Sequence, residues 1–82
     1  MASNEKLNQA LSALKELESD TILPKNVKNK VAATIKLLED KGEPSIKASK
    51  ALNEIESLAD DMNTPSFIRT QLYNITSILE LV

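Results

Sequence analysis

Apolar residues recur along most of the chain at spacings of three and four positions. This period places them on one face of an α-helix, whereas a half-buried strand would alternate apolar and polar residues. The pattern predicts four helices, at about 4–19, 24–41, 44–62 and 65–82. Their inner faces carry Leu7, Ala10, Leu11, Leu14 and Leu17; Val27, Val31, Ile35 and Leu38; Ala48, Leu52, Ile55, Leu58, Ala59 and Met62; and Ile68, Leu72, Ile75, Leu79 and Val82.

Proline and small polar residues mark where the predicted helices begin. Ser3 or Asn4 is expected to cap the first helix, because their side chains can accept a hydrogen bond from an unpaired backbone N–H. Pro24 and Pro65 are expected to be the first residues of the second and fourth helices, where the missing N–H of proline would be unpaired anyway. Thr64 is then the expected N-cap of the fourth helix.

The connections between the predicted helices are short. Gly42 ends the second helix, and Ile22 and Val27 have the spacing of a hydrophobic staple around its start. Short connections favour antiparallel neighbours, and packing four amphipathic helices together buries all four apolar faces. The sequence therefore predicts an all-α fold, a four-helix antiparallel bundle that forms a single domain over residues 1–82.

The two halves of the chain resemble each other at an offset of 41 residues. A period near 40 with an Asp before a turn resembles a HEAT repeat, but two repeats are fewer than the roughly three that a solenoid needs. We therefore predict that residues 1–41 and 42–82 are two similar helical hairpins that close into a bundle, with an open solenoid fragment as the alternative. The identical pairs are Lys6/Lys47, Ala10/Ala51, Leu11/Leu52, Leu17/Leu58, Asp20/Asp61, Pro24/Pro65, Leu38/Leu79 and Glu39/Glu80.

The composition narrows the class of protein. The chain has no Cys, His or Trp, so disulfides, thiolate metal sites and the usual proton shuttle are missing. Its net charge of −2 gives no general attraction for polyphosphates. The N-terminal MASNEKL lacks the apolar core of a signal peptide, and no apolar run approaches the ~20 residues of a membrane span. These features predict a soluble cytoplasmic protein with no membrane partner.

The densest group of chemically versatile side chains is acidic: Glu54, Glu56, Asp60 and Asp61. A di-iron bundle would need His beside such acids, and a calcium loop would need a Gly and a distal Glu that do not follow Asp61. We interpret the group as solvating the end of the third helix. Ser and Thr are plentiful, but no His or glycine-rich turn activates them or cradles a phosphate. The sequence predicts no enzyme, no metal or other cofactor and no small-molecule substrate.

The second predicted helix is rich in lysine. Lys25, Lys28 and Lys36 fall on one side of it and flank its apolar face, and Arg69 occupies the place equivalent to Lys28 in the fourth helix. This basic strip is a candidate contact for an acidic partner or an RNA backbone. Lysines are also ordinary solvent cover, and the near absence of aromatic residues argues against RNA. Nucleic acid is therefore the less favoured partner.

A second candidate surface consists of apolar and aromatic residues that the inner faces do not use. Residues of these types, together with Arg, are enriched at protein interfaces, although scattered exposed apolar residues are normal. We predict a non-catalytic protein-interaction or adaptor domain, binding a protein partner or a second copy through the second and fourth helices. The alternative is an RNA- or ribonucleoprotein-associated accessory protein that uses the lysines. The surface residues are Leu37, Phe67, Arg69, Tyr73 and Leu81, with Ile46 also off the inner face.

Three segments carry a resemblance to a known family. These are LNQALSALKELESD (7–20), TILPKNVKNKV (21–31) and LEDKGEPSIKASKALNEIESLADDMNTP (38–65). Through them the whole chain resembles Uncharacterised Protein Family 0147, a family of short archaeal proteins. The resemblance implies an archaeal cytoplasmic protein with a four-helix bundle fold. It implies no activity and no catalytic residue.

Overall fold

The computed structural model describes residues 2–20 and 22–82, and side chains from residue 5 onward within those ranges. Four α-helices follow one another: α1 (Ala2–Glu18), α2 (Lys25–Glu39), α3 (Pro44–Asp60) and α4 (Ser66–Leu79). No strand occurs in the described ranges, which confirms the all-α prediction. The predicted caps at Ser3 or Asn4 concern side chains outside the described part.

The helices form a closed ring. α1 packs against both α2 and α4, α3 packs against the same two helices, and α1 also touches α3 across the centre. An open solenoid fragment would not bring the first and last helices together, so the closed four-helix bundle is confirmed. The bundle measures 35 × 18 × 17 Å, close to one helix length plus its turns. Within the described residues α2 and α4 do not touch, and they occupy opposite corners.

The buried residues repeat at the offset of 41. The five buried positions of α2 are Val27, Val31, Thr34, Ile35 and Leu38, and adding 41 to each gives the five buried positions of α4. The two halves thus bury the same positions although they share few identities. Helix–helix packing requires an apolar face of the right shape rather than a particular residue, which explains this tolerance. The α4 set is Ile68, Leu72, Ile75, Thr76 and Leu79.

The α1–α2 and α3–α4 turns also share an Asp hydrogen bond and a proline conformation among their described residues. The carboxylate of Asp20 accepts the N–H of Ile22 at 3.1 Å, and that of Asp61 accepts the N–H of Asn63 at 2.9 Å. Asp side chains commonly stabilise turns in this way. The proline that follows has φ −57° and ψ 147° at Pro24, and φ −58° and ψ 148° at Pro65. The described parts of the two turns therefore match in these two features.

The two prolines and Thr64 differ from the sequence prediction. Pro24 and Pro65 are N-cap residues rather than first helical residues, because their ψ angles are extended. Thr64 consequently lies one residue before the cap and does not cap α4. It is buried, and its hydroxyl donates to the carbonyl oxygen of Leu58 at 2.7 Å, so it satisfies the end of α3 instead. Pro44 occupies the first turn of α3 as predicted.

Two apolar residues near these turns were also assigned incorrectly. Met62 was predicted on the inner face of the third helix, but α3 ends at Asp60 and Met62 is 94% exposed. Ile22 was predicted to form a staple with Val27, but Ile22 is 67% exposed. Leu23 enters the core in its place. The backbone N–H of Ile22 is held by the carboxylate of Asp20, and the Ile22 side chain lies on the exposed side of the turn.

The turn between α2 and α3 has a different form. It contains Gly42, whose φ of 145° lies in a region that side chains rarely adopt, which explains the glycine. The ammonium group of Lys47 donates to the carbonyl oxygen of Asp40 at 2.8 Å and so braces the end of α2 against the start of α3. Residues of this turn line the groove described below.

Candidate interaction surfaces

The outer side of α4 carries no charge. Seven residues of this helix are exposed, and all seven are neutral, including Phe67 at 45% and Tyr73 at 49% exposure. Solvent-facing helices normally carry Lys, Glu or Arg on that side, since these residues are mostly exposed in folded proteins. We call this surface the α4 face. It consists of Ser66, Phe67, Thr70, Gln71, Tyr73, Asn74 and Ser77.

The predicted partner residues of the fourth helix are spread over this region. Phe67 and Tyr73 are six residues apart, which places them on flanks of α4 separated by about 120° around the axis. Leu81 is exposed as well, but it lies beyond the end of the helix. The three side chains therefore border a wide surface and do not form one tight cluster.

Arg69 has a structural role. It is partly buried, and its guanidinium donates to the carbonyl oxygens of Asp61 and Thr64, each at 3.4 Å. Its Nε is buried without a hydrogen-bond partner in the described part of the chain. Arg69 thus leans over the α3–α4 turn, whereas its counterpart Lys28 is exposed. The sequence could not distinguish these two environments, because both positions flank the apolar face in the same way.

Leu37 does not join the residues of α4. It packs partly buried against the core on the side of α2 that faces α3, at the corner of the bundle opposite α4. There it meets Ile46, the other residue outside the predicted inner faces, which is 52% exposed. Two apolar residues that seemed isolated in the sequence therefore line the same surface hollow, together with Ala33.

These residues form the floor of a groove along α2 and α3. Two adjoining hollows, of about 790 Å³ and 500 Å³, share Ala33 and Leu37. We call them together the α2–α3 groove. Sequence reasoning identified Leu37 and Ile46 separately but missed the groove, since no local pattern shows which residues of two helices face each other. The charged residues that line it are Lys30, Lys36, Lys41, Lys47, Lys50, Glu39, Asp40, Glu43 and Glu54.

The basic strip is partly brought into this groove. Lys25, Lys28 and Lys36 are all exposed, and none forms an ion pair with a described residue. Lys36 lines the groove, whereas Lys25 and Lys28 lie near the start of α2 and are not among its lining residues. The strip is therefore available for contacts, but only one of its three lysines adjoins an apolar surface.

Two members of the acidic group at the end of α3 make local contacts, and the other two, Glu56 and Asp60, are exposed. Glu54 lies 3.7 Å from Lys30 of α2, and Asp61 accepts the turn hydrogen bond from the N–H of Asn63.

The described ranges contain no cluster of three or more potential metal ligands. Among those same residues, no helix is both long enough and apolar enough to cross a membrane.

Comparison with known proteins agrees with this architecture. The model of Uncharacterised protein family (UPF0147) matches residues 1–82. A UPF0147 protein of Saccharolobus islandicus is 33% identical over 78 residues, which cover 94% of this chain and 88% of that protein. A UPF0147 protein of Methanosarcina mazei is 30% identical over 81 residues, covering 98% and 87%.

Solved structures show the same fold. The crystal structure of a UPF0147 protein from Thermoplasma acidophilum superimposes with a TM-score of 0.88 at 30% identity, over 96% of this chain and 94% of that one. A second crystal structure, of a protein of unknown function, gives a TM-score of 0.87 at 28% identity over 96% and 91%. The sequence resemblance is confirmed, and the chain belongs to UPF0147, an archaeal family with an all-helical fold.

Proposed function

We propose that this protein is a non-catalytic, cytoplasmic adaptor, and that its α4 face binds a second copy of the chain. The observation that carries the proposal is the absence of charge from all seven exposed residues of α4. Desolvating charged side chains is costly, and the centres of protein interfaces are accordingly depleted of them. Phe67 and Tyr73 belong to the residue types that are enriched there.

A second copy is the occupant that this surface suits best. In a two-fold symmetric dimer the same surface meets itself, so a surface whose charges all have one sign meets charges of that same sign. The α4 face has no charge and meets its copy without that repulsion. The equivalent side of α2, with Lys25, Lys30 and Lys36 exposed, would meet itself unfavourably.

The available area indicates a weak dimer. A standard interface buries roughly 800 Å² of each partner, about 15% of the 5166 Å² surface of this chain. The exposed side of one short helix provides only part of that area. The hollow beside it adds a flank from α1, but that flank carries the acids Glu16 and Asp20, which lie outside the uncharged α4 face. We expect a dissociation constant on the order of 10–100 μM. Because α2 lies at the opposite corner, this dimer would leave both α2–α3 grooves free for partners, as an adaptor requires.

Sedimentation equilibrium of the pure protein tests the dimer. Wild type should change from monomer to dimer as the concentration rises to roughly 500 μM. Phe67→Glu and Thr70→Glu should stay monomeric, since each would bury a charge in an interface where the α4 face offers no opposite charge. The equivalent α2 positions provide matched controls, Asn26→Glu and Asn29→Glu, which should dimerise like wild type. Circular dichroism melting checks that all four variants fold. A wild-type monomer over the whole range, or equal effects of the α2 variants, would contradict the proposal.

A second candidate function is an accessory role at RNA, supported by the three unpaired lysines of the basic strip. Phosphate contacts make such binding strongly salt-dependent. Single-stranded RNA should then bind at about 50 mM salt and dissociate at about 200 mM. The triple variant of Lys25, Lys28 and Lys36 to Glu should abolish binding, while Lys6→Glu with Lys15→Glu on α1 should weaken it little. Absence of binding at low salt would eliminate this candidate.

A further inference from the structure

We infer that the α2–α3 groove binds an acidic amphipathic helix of a partner protein. The inference rests on the proposed adaptor function and gives the chemistry of the partner, but it uses a surface distinct from the α4 face. It follows from the shape of the groove, its aliphatic floor and the uneven neutralisation of the charges around it.

The groove has the length of a short helix. Its lining residues on α2 and the turn after it extend from Asn26 to Lys41. At 1.5 Å per residue this corresponds to about 22 Å, or roughly four turns of a docked helix. Both hollows are open to solvent along this length, so a helix could approach from outside the bundle.

The floor is aliphatic and partly open to water. Ala33 is exposed, Leu37 is half-buried and Ile46 is 52% exposed, and the three lie in one hollow. A helix that places leucine-type residues at i, i+3 or i+4, and i+7 on such a floor removes apolar surface from water on both sides. This is the gain that would drive docking.

The charges around the floor favour an acidic ligand. Lys36, Lys41 and Lys50 form no ion pair with a described residue, and the Nζ of Lys47 donates only to a backbone carbonyl. Of the neighbouring acids, Glu39, Asp40 and Glu54 make other contacts, while Glu43 forms no ion pair with a described residue. Glu39 pairs with Lys15 of α1 at 3.0 Å, and the carboxylate of Asp40 accepts the backbone N–H of Lys41 at 2.9 Å. The groove therefore presents unneutralised positive charge, although the chain as a whole has a net charge of −2.

The same lining favours protein over RNA. Single-stranded RNA is commonly held by aromatic side chains on which its bases stack, and none of the residues that line the groove is aromatic. A peptide can direct its acidic side chains toward the lysines and its leucines toward the floor.

Selection from a displayed library of random peptides, each roughly 16 residues long, tests the inference. Selected sequences should combine helically spaced leucine-type residues with Asp or Glu. Titrating the best peptide into ¹⁵N-labelled protein should shift the amide signals around Ala33, Leu37 and Ile46. Affinity should fall at least about tenfold in Ile46→Asp and in the double variant Lys36→Glu with Lys50→Glu, because each places negative charge against an acidic ligand.

The control is another exposed isoleucine, Ile22, changed to Asp. Ile46→Asp should fold normally, since an acidic residue in the first turn of α3 interacts favourably with the helix dipole. Failure to select any peptide, selection of basic sequences, shifts on α4, or an oligouridine RNA that shifts the groove signals instead would each overturn the inference. Repeating the titration on Phe67→Glu separates the two proposals, because that variant removes the dimer and should leave peptide affinity unchanged.

Discussion

The helices α2 and α4 are alike on the inside and different on the outside. Their buried positions coincide at the offset of 41 residues, and each follows a turn with the same Asp and Pro conformation. Their exposed positions differ, since Lys25, Lys30 and Lys36 on α2 correspond to Ser66, Gln71 and Ser77 on α4, and Lys28 corresponds to the partly buried Arg69. The two hairpins therefore have a common packing requirement and separate surfaces. That separation is what two different binding roles in one small bundle would require.

The largest expected effect tests the shared interior. Leu38 and Leu79 are equivalent, identical and buried, so Leu38→Ala and Leu79→Ala should each lower the free energy of unfolding by about 2–5 kcal/mol. Leu79 should lie toward the low end, because it is the last residue of α4 and a helix end relaxes into a cavity more easily than a helix interior. Urea denaturation measures both, with exposed Leu81→Ala as a control that should change the value by less than about 0.5 kcal/mol. If either buried variant behaved like Leu81→Ala, the equivalence of the two interiors would be wrong.

The second-largest loss of stability is expected at a buried turn position where the two hairpins differ chemically. Thr64 donates a hydrogen bond to the carbonyl oxygen of Leu58, whereas its counterpart Leu23 is apolar. Thr64→Val preserves the shape and leaves that carbonyl without the hydroxyl, so unfolding should become easier by about 1–2 kcal/mol. Thr70→Val removes an exposed hydroxyl bond and is the matched control in the same denaturation assay. Equal stability of Thr64→Val and wild type would mean that the polar and apolar turns are energetically interchangeable.

A smaller loss of stability is expected at the Asp residue of each turn, and it should be equal in the two hairpins. Asp20→Ala and Asp61→Ala each remove one carboxylate-to-amide hydrogen bond at a turn, and each should cost about 1 kcal/mol. Asp60→Ala is the control, since it removes a neighbouring acid that makes no hydrogen bond to a described residue. Thermal melts of the three variants at one protein concentration would show whether the two turns contribute equally. A loss confined to one Asp would show that matching geometry does not imply matching energy.

The regular part of this fold was readable from the sequence, and the reason is local. Residues three and four positions apart lie on one helix face, so the apolar period alone located all four helices and most of the core. The method failed where burial does not follow that period. Leu23 and Thr64 lie in turns, while Thr34 and Thr76 are buried because their hydroxyls bond to carbonyls of their own helices. The apolar period along a helix therefore does not predict the burial of these four residues.

The candidate surfaces were only partly readable, for a different reason. The exposure of Phe67 and Tyr73 follows from their angle on one helix, and the sequence predicted it. The α2–α3 groove joins Leu37 to Ile46 across two helices, and the turn of Arg69 toward two carbonyls depends on the α3–α4 connection. Both features depend on how the helices pack together, which a local sequence pattern does not show. Whether the α4 face, the groove or the basic strip binds anything remains a prediction.

The different exteriors of α2 and α4 are tested by exchanging their exposed residues, and this exchange should change stability the least. Ser66→Lys, Gln71→Lys and Ser77→Lys would transfer the α2 lysines Lys25, Lys30 and Lys36 to the equivalent exposed positions of α4. Lysine is a good helix former, so each should change the free energy of unfolding by no more than about 0.5 kcal/mol.

Self-association should nevertheless be lost in the lysine transfer variant, since three added charges per chain would meet their copies across the two-fold axis. The reverse transfer, Lys25→Ser, Lys30→Gln and Lys36→Ser, is the control. It should retain the dimer, and the neutral α2 should gain no second contact because it has no counterpart of Phe67 or Tyr73 to act as an anchor. If sedimentation showed the lysine-bearing α4 still dimeric, the surface that distinguishes the two hairpins would not be the one that joins the copies.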